Sequence, residues 1–225
     1  MPLRDHIFLD GNIQVFTWQI EESLEDLKSN ILLSTVDQKR LSKRKSLQHQ
    51  KGFLATRKLI LHAGIDSATV KYNPNGAPFL DSGKHLSITH SKTQAGIALG
   101  DHSLGLDIEE YHHKIQKIGP KFLHKDEDYA IESNNPIEML TMIWTAKEAL
   151  YKALNISGIS FSKQLLIAPF QAGQTKGKAE VRIGDEIRKF SLYFILNKDH
   201  CVALAVEKKQ KQACHSALIY VNKII

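Results

Sequence analysis

Apolar and polar residues alternate in the segment LGLDIE, residues 104–109, as they do in a β-strand with one buried face. The leucine and isoleucine side chains take one face of this predicted strand. Asp107 and Glu109 project from the other face, so two like charges lie side by side. A cation would relieve the repulsion between them. The alternation therefore predicts a strand over residues 103–109 that carries either an acidic site or an ordinary solvent-facing side.

Helical spacing marks a second segment, which opens with the start signal Asn134-Asn135-Pro136 and runs to about Leu154. Trp144, Glu148 and Lys152 stand four residues apart, so they share one stripe of this helix. If Glu148 converges with the strand carboxylates, the three would form a hard oxygen site suited to Mg²⁺ and to phosphate esters. The spacing alone also allows a surface ion pair between Glu148 and Lys152.

The remaining periodic segments predict an α+β chain. They include strands at 12–20, 85–91 and 95–100 and further strands between 179 and 206. Helices are predicted at 22–31, 35–63 and 120–133, and a turn at 73–76. The final segment, 217–225, predicts a last strand or a docking segment. Each half of the chain thus combines helices with short strands.

Charge is distributed unevenly along the 225 residues, whose net charge is +6 and whose pI is near 9.2. Residues 38–58 are rich in Lys and Arg and contain no acid. Such a run favours an anionic partner, which could be a nucleic acid, an anionic cofactor or an acidic protein, or else forms a solvated helix face. Hydrophobic residues make up 42% of the chain, as expected for a globular protein with a core.

The sequence contains no signal-peptide core and no apolar run of the ~18 residues that a membrane span requires. Its two cysteines, Cys201 and Cys214, lack metal-ligand spacing. These features predict a cytoplasmic protein without a disulfide framework or membrane contact.

A third candidate site surrounds His90 in the segment LSITHS, residues 86–91. The hydroxyl groups of Ser87, Thr89 and Ser91 could donate hydrogen bonds to phosphate oxygens. The alternative is a histidine that caps the end of a strand.

Taken together, these segments resemble the motifs of the 4′-phosphopantetheinyl transferases, in the larger, surfactin-synthetase-activating type. GLDIE at 105–109 is similar to the family's G-(I/V)-D-x-E, and WTAKEALYK at 144–152 is similar to W-(S/T)-x-K-E-(A/S)-x-x-K. LSITHS resembles the upstream histidine motif, and FLATR at 53–57 resembles the family's F-x-A-(G/T)-R helix. The motifs occur in the family's order, and the resemblance covers about residues 35–207.

The resemblance implies a fold, a reaction and partners. The fold would have two similar α+β halves, residues 1–102 and 103–225, related by a pseudo-two-fold axis with the active site in the cleft between them. The first half would contribute to coenzyme A binding and the second would carry the Mg²⁺-binding and catalytic motifs. The enzyme would be a monomer that transfers the 4′-phosphopantetheine arm of coenzyme A to a serine of an apo acyl or peptidyl carrier protein, and adenosine 3′,5′-bisphosphate would leave. Mg²⁺, or Mn²⁺ in its place, would be the cofactor.

The resemblance also implies site residues by their positions in the motifs. The implied metal ligands are Asp107, Glu109 and Glu148. The implied catalytic residues are Glu148, Lys152 and Glu127. The implied coenzyme A-binding residues are Arg40, Arg57, Gly76, Pro78, Ser87, Thr89, His90, Asp107 and Lys152.

One position departs from the family pattern. Where the family has G-K-P, this chain has Gly76-Ala77-Pro78, so a cation is missing. Lys71 or Lys84 could supply the charge instead.

Three other functions use parts of the same evidence. A basic nucleic-acid-binding domain would account for the charge, but the sequence lacks a helix-turn-helix, zinc or aromatic-interleaved motif, so no nucleic-acid partner is predicted. A Mg²⁺-dependent phosphodiesterase would use the carboxylates without needing the Trp144–Lys152 motif. A carrier-protein binder without activity would not need the intact acidic residues.

Overall fold

The computed structural model describes residues 3–9, 12–29 and 31–208. Helices and strands are mixed throughout these residues, so the predicted α+β class is confirmed. The segment 217–225, predicted as a last strand or docking segment, lies outside the described residues.

The chain up to Gly100 forms a four-stranded antiparallel sheet with helices packed on one face. Its strands are β1 (Leu3–Leu9), β2 (Ile13–Gln19), β5 (His85–His90) and β6 (Gln94–Gly100), and a separate short hairpin consists of β3 (Lys71–Tyr72) and β4 (Pro78–Phe79). Its helices are α1 (Leu24–Lys28), α2 (Thr35–Ser42) and α3 (Leu47–His62). The strand order is β1-β2-β6-β5.

The chain from Leu104 onward forms a five-stranded antiparallel sheet. Its strands are β7 (Leu104–Glu110), β8 (Leu165–Ile167), β9 (Lys176–Ile183), β10 (Glu186–Leu196) and β11 (His200–Glu207). Its helices are α4 (Lys114–Phe122), α5 (Pro136–Leu154) and α6 (Phe161–Gln164). The strand order is β7-β11-β10-β9-β8.

The two sheets share one pattern of connections. In each, a strand leads through a long helix to two later strands, and the last of these strands lies between the other two. The elements are β2, α3, β5 and β6 in the first sheet and β7, α5, β10 and β11 in the second. This common connectivity supports the prediction of two similar halves, while the pseudo-two-fold axis stays a prediction.

Apolar side chains form three clusters, which stack the elements as helix, sheet, sheet and helix. One cluster joins α3 to the first sheet and another joins α5 to the second. The third lies between the sheets and consists of Ile13, Val15, Ala98, Leu104, Leu106, Ile108, Val202, Leu204 and Val206. Because β7 places its even-numbered residues in this third cluster, its odd-numbered residues face α5.

The predicted helix from Pro136 to Leu154 is confirmed as α5. The side chain of Asn135 accepts a hydrogen bond from the backbone N–H of Glu138 at the start, and Asn155 ends the helix in the left-handed region at φ 52°. No described helix, α5 included, is both long and apolar enough to cross a membrane.

Two predicted helices are wrong. The helix predicted at 35–63 is divided into α2 and α3, because Ser46 starts a new helix by accepting a hydrogen bond from the N–H of His49 at 3.2 Å. The helix predicted at 120–133 ends at Phe122. After that point, the backbone N–H of His124 bonds to the Glu127 carboxylate at 2.8 Å, which holds the chain in a loop.

Candidate active site

Asp107 lies at the centre of the candidate site, on the face of β7 that meets α5. Its side chain is buried. Oδ1 accepts hydrogen bonds from Lys152 Nζ at 2.6 Å and from Thr89 Oγ1 at 3.0 Å. Oδ2 is buried and has no hydrogen-bond partner among the residues that the structure describes. A buried carboxylate oxygen without a donor is costly unless something else, such as a cation, occupies it.

Glu109 and Glu148 face the same pocket as Asp107. Glu109 Oε1 accepts a hydrogen bond from Trp144 Nε1 at 2.9 Å. Burial, followed by the charge of Asp107, raises the pKa of Glu109 above its ordinary value. The same two causes raise the pKa of Glu148 to about 7. The three carboxylates therefore repel one another.

This arrangement fits Mg²⁺ in the chemistry of its donors, because the oxygens are hard, anionic and partly uncompensated. It is not a closed cage, since no group of three His, Cys, Asp or Glu side chains in the described residues could hold a metal ion as it stands. In this arrangement the Lys152 ammonium is the cation nearest to Asp107.

Lys152 stands in the wall between two cavities. Its Nζ also donates a hydrogen bond to the carbonyl oxygen of Leu106 at 3.1 Å. One cavity, of about 560 Å³, contains the three carboxylates together with His90. The other, of about 690 Å³, is bounded by the turn at 75–78, the start of β5 and the end of α5. The Lys152 side chain therefore lines both cavities.

The larger cavity favours anions. Among the described residues its lining includes Lys84 and Lys152 and no Asp or Glu. Gly76 and Pro78, both predicted to bind coenzyme A, line this cavity, and Gly76 turns the chain there at φ 83°.

His90 ends β5 at the smaller cavity, as predicted. Its ring lies against α3, where a Cβ atom on Gly52 would stand 2.6 Å from Nδ1. Burial is the largest cause that lowers the pKa of His90, so a neutral imidazole is favoured near pH 7.

Ser87 and Thr89 direct their hydroxyl groups toward β7, and their role in coenzyme A binding stays a prediction. Ser87 Oγ accepts a hydrogen bond from the backbone N–H of Leu106 at 2.9 Å, although Ser87 also lines the larger cavity. Thr89 Oγ1 donates to Asp107, as described above. Both hydroxyl groups contact β7, which sequence alone could not show because β5 and β7 are not a backbone-paired hairpin.

The two predicted arginines have different surroundings. Arg57 is 1% exposed, and its guanidinium bonds to Asp37 Oδ1 at 2.8 Å and to the Tyr72 hydroxyl at 2.5 Å. The structure therefore gives Arg57 a role in joining α3 to α2 and β3, because its charge is already compensated and shielded. Arg40 stacks on the Tyr72 ring, 3.6 Å from the centroid, with its Nε buried and unbonded.

Glu127, predicted as catalytic, is not brought to this site. It is fully buried, and neither described cavity includes it in its lining. Its Oε2 accepts from Lys147 Nζ at 2.6 Å, and its Oε1 accepts from the N–H of Ile167 at 2.7 Å. The physical reason is that a fully buried lysine requires a counter-charge, and Glu127 supplies it. In the sequence, the sign of this pair is Lys147, a charged residue among the apolar residues of α5.

Lys147→Met is expected to lower the free energy of unfolding by about 3–5 kcal/mol, since it leaves the Glu127 carboxylate buried without its cation. Denaturant unfolding measures this change. The matched control is Lys71→Met, which removes an exposed ion pair with Asp81 and should cost no more than about 1 kcal/mol. Equal losses for the two variants would contradict the structural role of the buried pair.

Comparison with known proteins shows what the part of the chain from residue 103 onward is similar to. Residues 103–205 match the family model described as the 4′-phosphopantetheinyl transferase superfamily. The chain is 30% identical over 98 residues to the 4′-phosphopantetheinyl transferase gsp of Aneurinibacillus migulanus. That match spans 42% of this chain and 41% of the relative's length.

A solved structure, the holo-(acyl-carrier-protein) synthase (AcpS) of Thermotoga maritima, also matches, with a TM-score of 0.40 and 19% identity. The match covers 48% of this chain and 64% of that one. The chain is thus similar to the 4′-phosphopantetheinyl transferase superfamily over residues 103–205, and it spans about two fifths of the length of the curated relative it matches.

Proposed function

We propose that this protein is a 4′-phosphopantetheinyl transferase. It moves the phosphopantetheine arm of coenzyme A to a serine hydroxyl of an apo acyl or peptidyl carrier protein. The observation that carries the proposal is the position of Lys152, between a pocket of three carboxylates and a cavity whose described lining includes Lys84 and contains no Asp or Glu. A transferase for a pyrophosphate substrate needs both environments side by side.

Asp107, Glu109 and Glu148 are the residues that would hold Mg²⁺. When bound, the ion supplies charge neutralisation for the pyrophosphate. The structure supports this part of the proposal through the unpartnered Asp107 Oδ2 and the mutual repulsion of the carboxylates.

The chemistry is a substitution at phosphorus. The carrier serine oxygen forms a bond to the β-phosphorus of coenzyme A, and the bond from that phosphorus to the departing adenosine 3′,5′-bisphosphate breaks. Glu148, which lines the same pocket as the other two carboxylates, is the proposed acceptor of the serine proton. Lys152 stabilises the negative charge that develops on the leaving phosphate.

The basic cluster on α2 and α3 is proposed to bind the 3′-phosphate of coenzyme A. Arg40 and Arg44 lie close to the buried Arg57. Burial, and after it the charges of Arg40 and Arg57, lowers the pKa of Arg44. The guanidinium groups of Arg40 and Arg44 make this surface attractive to a phosphate, whereas the buried Arg57 is already paired with Asp37. The same positive region would steer an acidic carrier protein.

Lys84 is proposed to replace the cation that is missing at Ala77. It lines the larger cavity beside Gly76 and Pro78. Lys71, the alternative, points to Asp81 and pairs with it at 2.5 Å. Lys84 is therefore better placed to meet an anionic substrate.

Arg40→Ala is expected to raise the KM for coenzyme A by roughly 10-fold and to lower kcat less, because a charge-assisted hydrogen bond to phosphate contributes about 1.5–3 kcal/mol. Steady-state kinetics with coenzyme A as the varied substrate measures both constants. Lys39→Ala removes an exposed charge on the same helix and serves as the control. An unchanged KM in the Arg40 variant would remove this residue from the binding site.

Several sequence-based predictions remain part of the proposal. They are the division of the chain at residue 102, the pseudo-two-fold axis, the monomeric state and the cytoplasmic location.

The reaction class is tested with the full chain, coenzyme A, Mg²⁺ and a panel of apo carrier proteins from fatty-acid, polyketide and peptide synthesis. Mass spectrometry of each carrier should show the gain of one phosphopantetheine group on at least one of them. A carrier whose acceptor serine is replaced by alanine is the control. If no carrier gains mass, the transferase proposal fails, and hydrolysis of coenzyme A would point to a phosphodiesterase.

A further inference from the structure

Two buried hydroxyl groups reach from β5 to β7, across the seam between the two sheets. Ser87 and Thr89 are two residues apart and project from the same face of β5. Ser87 Oγ accepts from the N–H of Leu106, and Thr89 Oγ1 donates to the carboxylate of Asp107. The bonds therefore act on consecutive residues of β7.

These two side-chain hydrogen bonds link β5 to β7, as backbone hydrogen bonds link neighbouring strands within each sheet. β5 is the last strand of the first sheet and β7 is the first strand of the second, and no backbone pairing joins them within the described part of the chain. The position of Asp107 relative to the first sheet is thus set by packing and by these two hydroxyl groups.

The Thr89 bond also determines which carboxylate oxygen of Asp107 is free. Oδ1 receives both Thr89 and Lys152, while Oδ2 is buried and receives no donor. The Lys152 side chain is long and 29% exposed, so it can move. Thr89 is buried and β-branched, which restricts its χ1 angle, so it is the more rigid of the two donors.

We propose, on the basis of the function proposed above, that Thr89 is a positioning residue of the metal site. Its hydroxyl group holds the Asp107 carboxylate so that Oδ2 faces the cation. This assignment differs from the sequence-based prediction, in which Thr89 binds coenzyme A. It also couples the two halves, because a residue of the first sheet orients a metal ligand on the second.

The test compares Thr89→Val, which keeps the shape and removes the donor, with Thr89→Ser, which keeps the donor. The matched control is Thr17→Val. Thr17 is also a buried threonine that donates to a carboxylate, Asp5 Oδ2 at 2.6 Å, but it lies on β2 and lines neither cavity of the site. Each full-length variant is titrated with Mg²⁺ alone and with coenzyme A alone by calorimetry, and its thermal unfolding is recorded.

Thr89→Val is expected to weaken Mg²⁺ binding by roughly 10- to 100-fold, the range found when residues that orient metal ligands are removed. Thr89→Ser should recover most of that affinity, and Thr17→Val should bind Mg²⁺ like the wild type. Affinity for coenzyme A alone should be the same in all four proteins. In transfer assays, Thr89→Val should need more Mg²⁺ for half-maximal rate.

Three results would overturn this assignment. The first is wild-type Mg²⁺ affinity in Thr89→Val, or no Mg²⁺ binding by the wild type. The second is a loss of coenzyme A affinity with Mg²⁺ affinity intact, which would restore the substrate-binding role. The third is an equal loss in the valine and serine variants. If instead the Mg²⁺ results follow expectation while no carrier is modified, Thr89 keeps its role and the transferase proposal alone fails.

Discussion

Gly105→Ala is expected to destabilise the protein by about 3 kcal/mol or more and to disrupt the candidate site. A Cβ atom at this position would lie 2.0 Å from the carbonyl oxygen of Ala149 and 2.6 Å from the nitrogen of Ala153. Both are backbone atoms of α5, so β7 and the helix would have to separate. Overpacking against rigid neighbours is among the few mechanisms that give losses of this size.

Denaturant unfolding measures this loss, with Gly119→Ala as the matched control. Gly119 is also buried, but a Cβ atom there meets only leucine side chains at 3.6 Å or more, and alanine favours the helix in which it lies. The control should therefore be neutral or stabilising by up to ~1 kcal/mol. A stability of Gly105→Ala near the wild-type value would show that α5 does not rest on β7 in this way.

Glu148→Gln is expected to lower kcat by about 100-fold or more, since it removes both a proposed metal ligand and the proposed base at once. Transfer rates at saturating coenzyme A, carrier and Mg²⁺ measure the effect. Glu110→Gln is the matched control, because Glu110 lines the same pocket and bonds to Thr93 Oγ1 but is not a proposed ligand. Near-normal turnover of Glu148→Gln at saturating Mg²⁺ would remove Glu148 from the mechanism.

The same substitution should not weaken the fold without ligands. The folded protein raises the pKa of Glu148 to about 7 from 4.5, so the fold favours the protonated carboxyl. This contribution to stability is complete below pH 4.5 and is lost as the pH rises through 7. Above pH 7 the neutral glutamine escapes the repulsion that the carboxylate feels. Equal or greater stability with lost activity would separate a role in function from a role in folding.

Sequence periodicity is sufficient to predict the strand and the helix that carry the site. The alternation along β7 and the four-residue steps along α5 are local patterns, so they place Asp107 and Glu109 on one face of a strand and Glu148 and Lys152 on one stripe of a helix. His90 followed from its place at the end of a predicted strand.

Roles that depend on distant partners could not be read in this way. Glu127 and Arg57 occur in motifs, but each is paired in the interior with a residue 20 positions away, Lys147 and Asp37 respectively. Nothing in the local pattern says whether such a charge faces a cavity or the core. The bonds from Ser87 and Thr89 are also invisible locally, because they cross between strands that share no turn. The break between α2 and α3 depended on one capping serine inside a basic run.

The ion pair between Lys152 and Asp107 has a consequence for how an anion and a cation affect each other's binding. Without ligands, the Lys152 ammonium pairs with Asp107 Oδ1 at 2.6 Å. An anion that draws the ammonium toward the larger cavity leaves Asp107 uncompensated and thereby increases the affinity of its oxygens for a cation. By thermodynamic reciprocity, a cation at Asp107 frees Lys152 for the anion by the same factor. We therefore expect the binding of the anion and the binding of the cation to strengthen each other, because both change the pairing of Lys152.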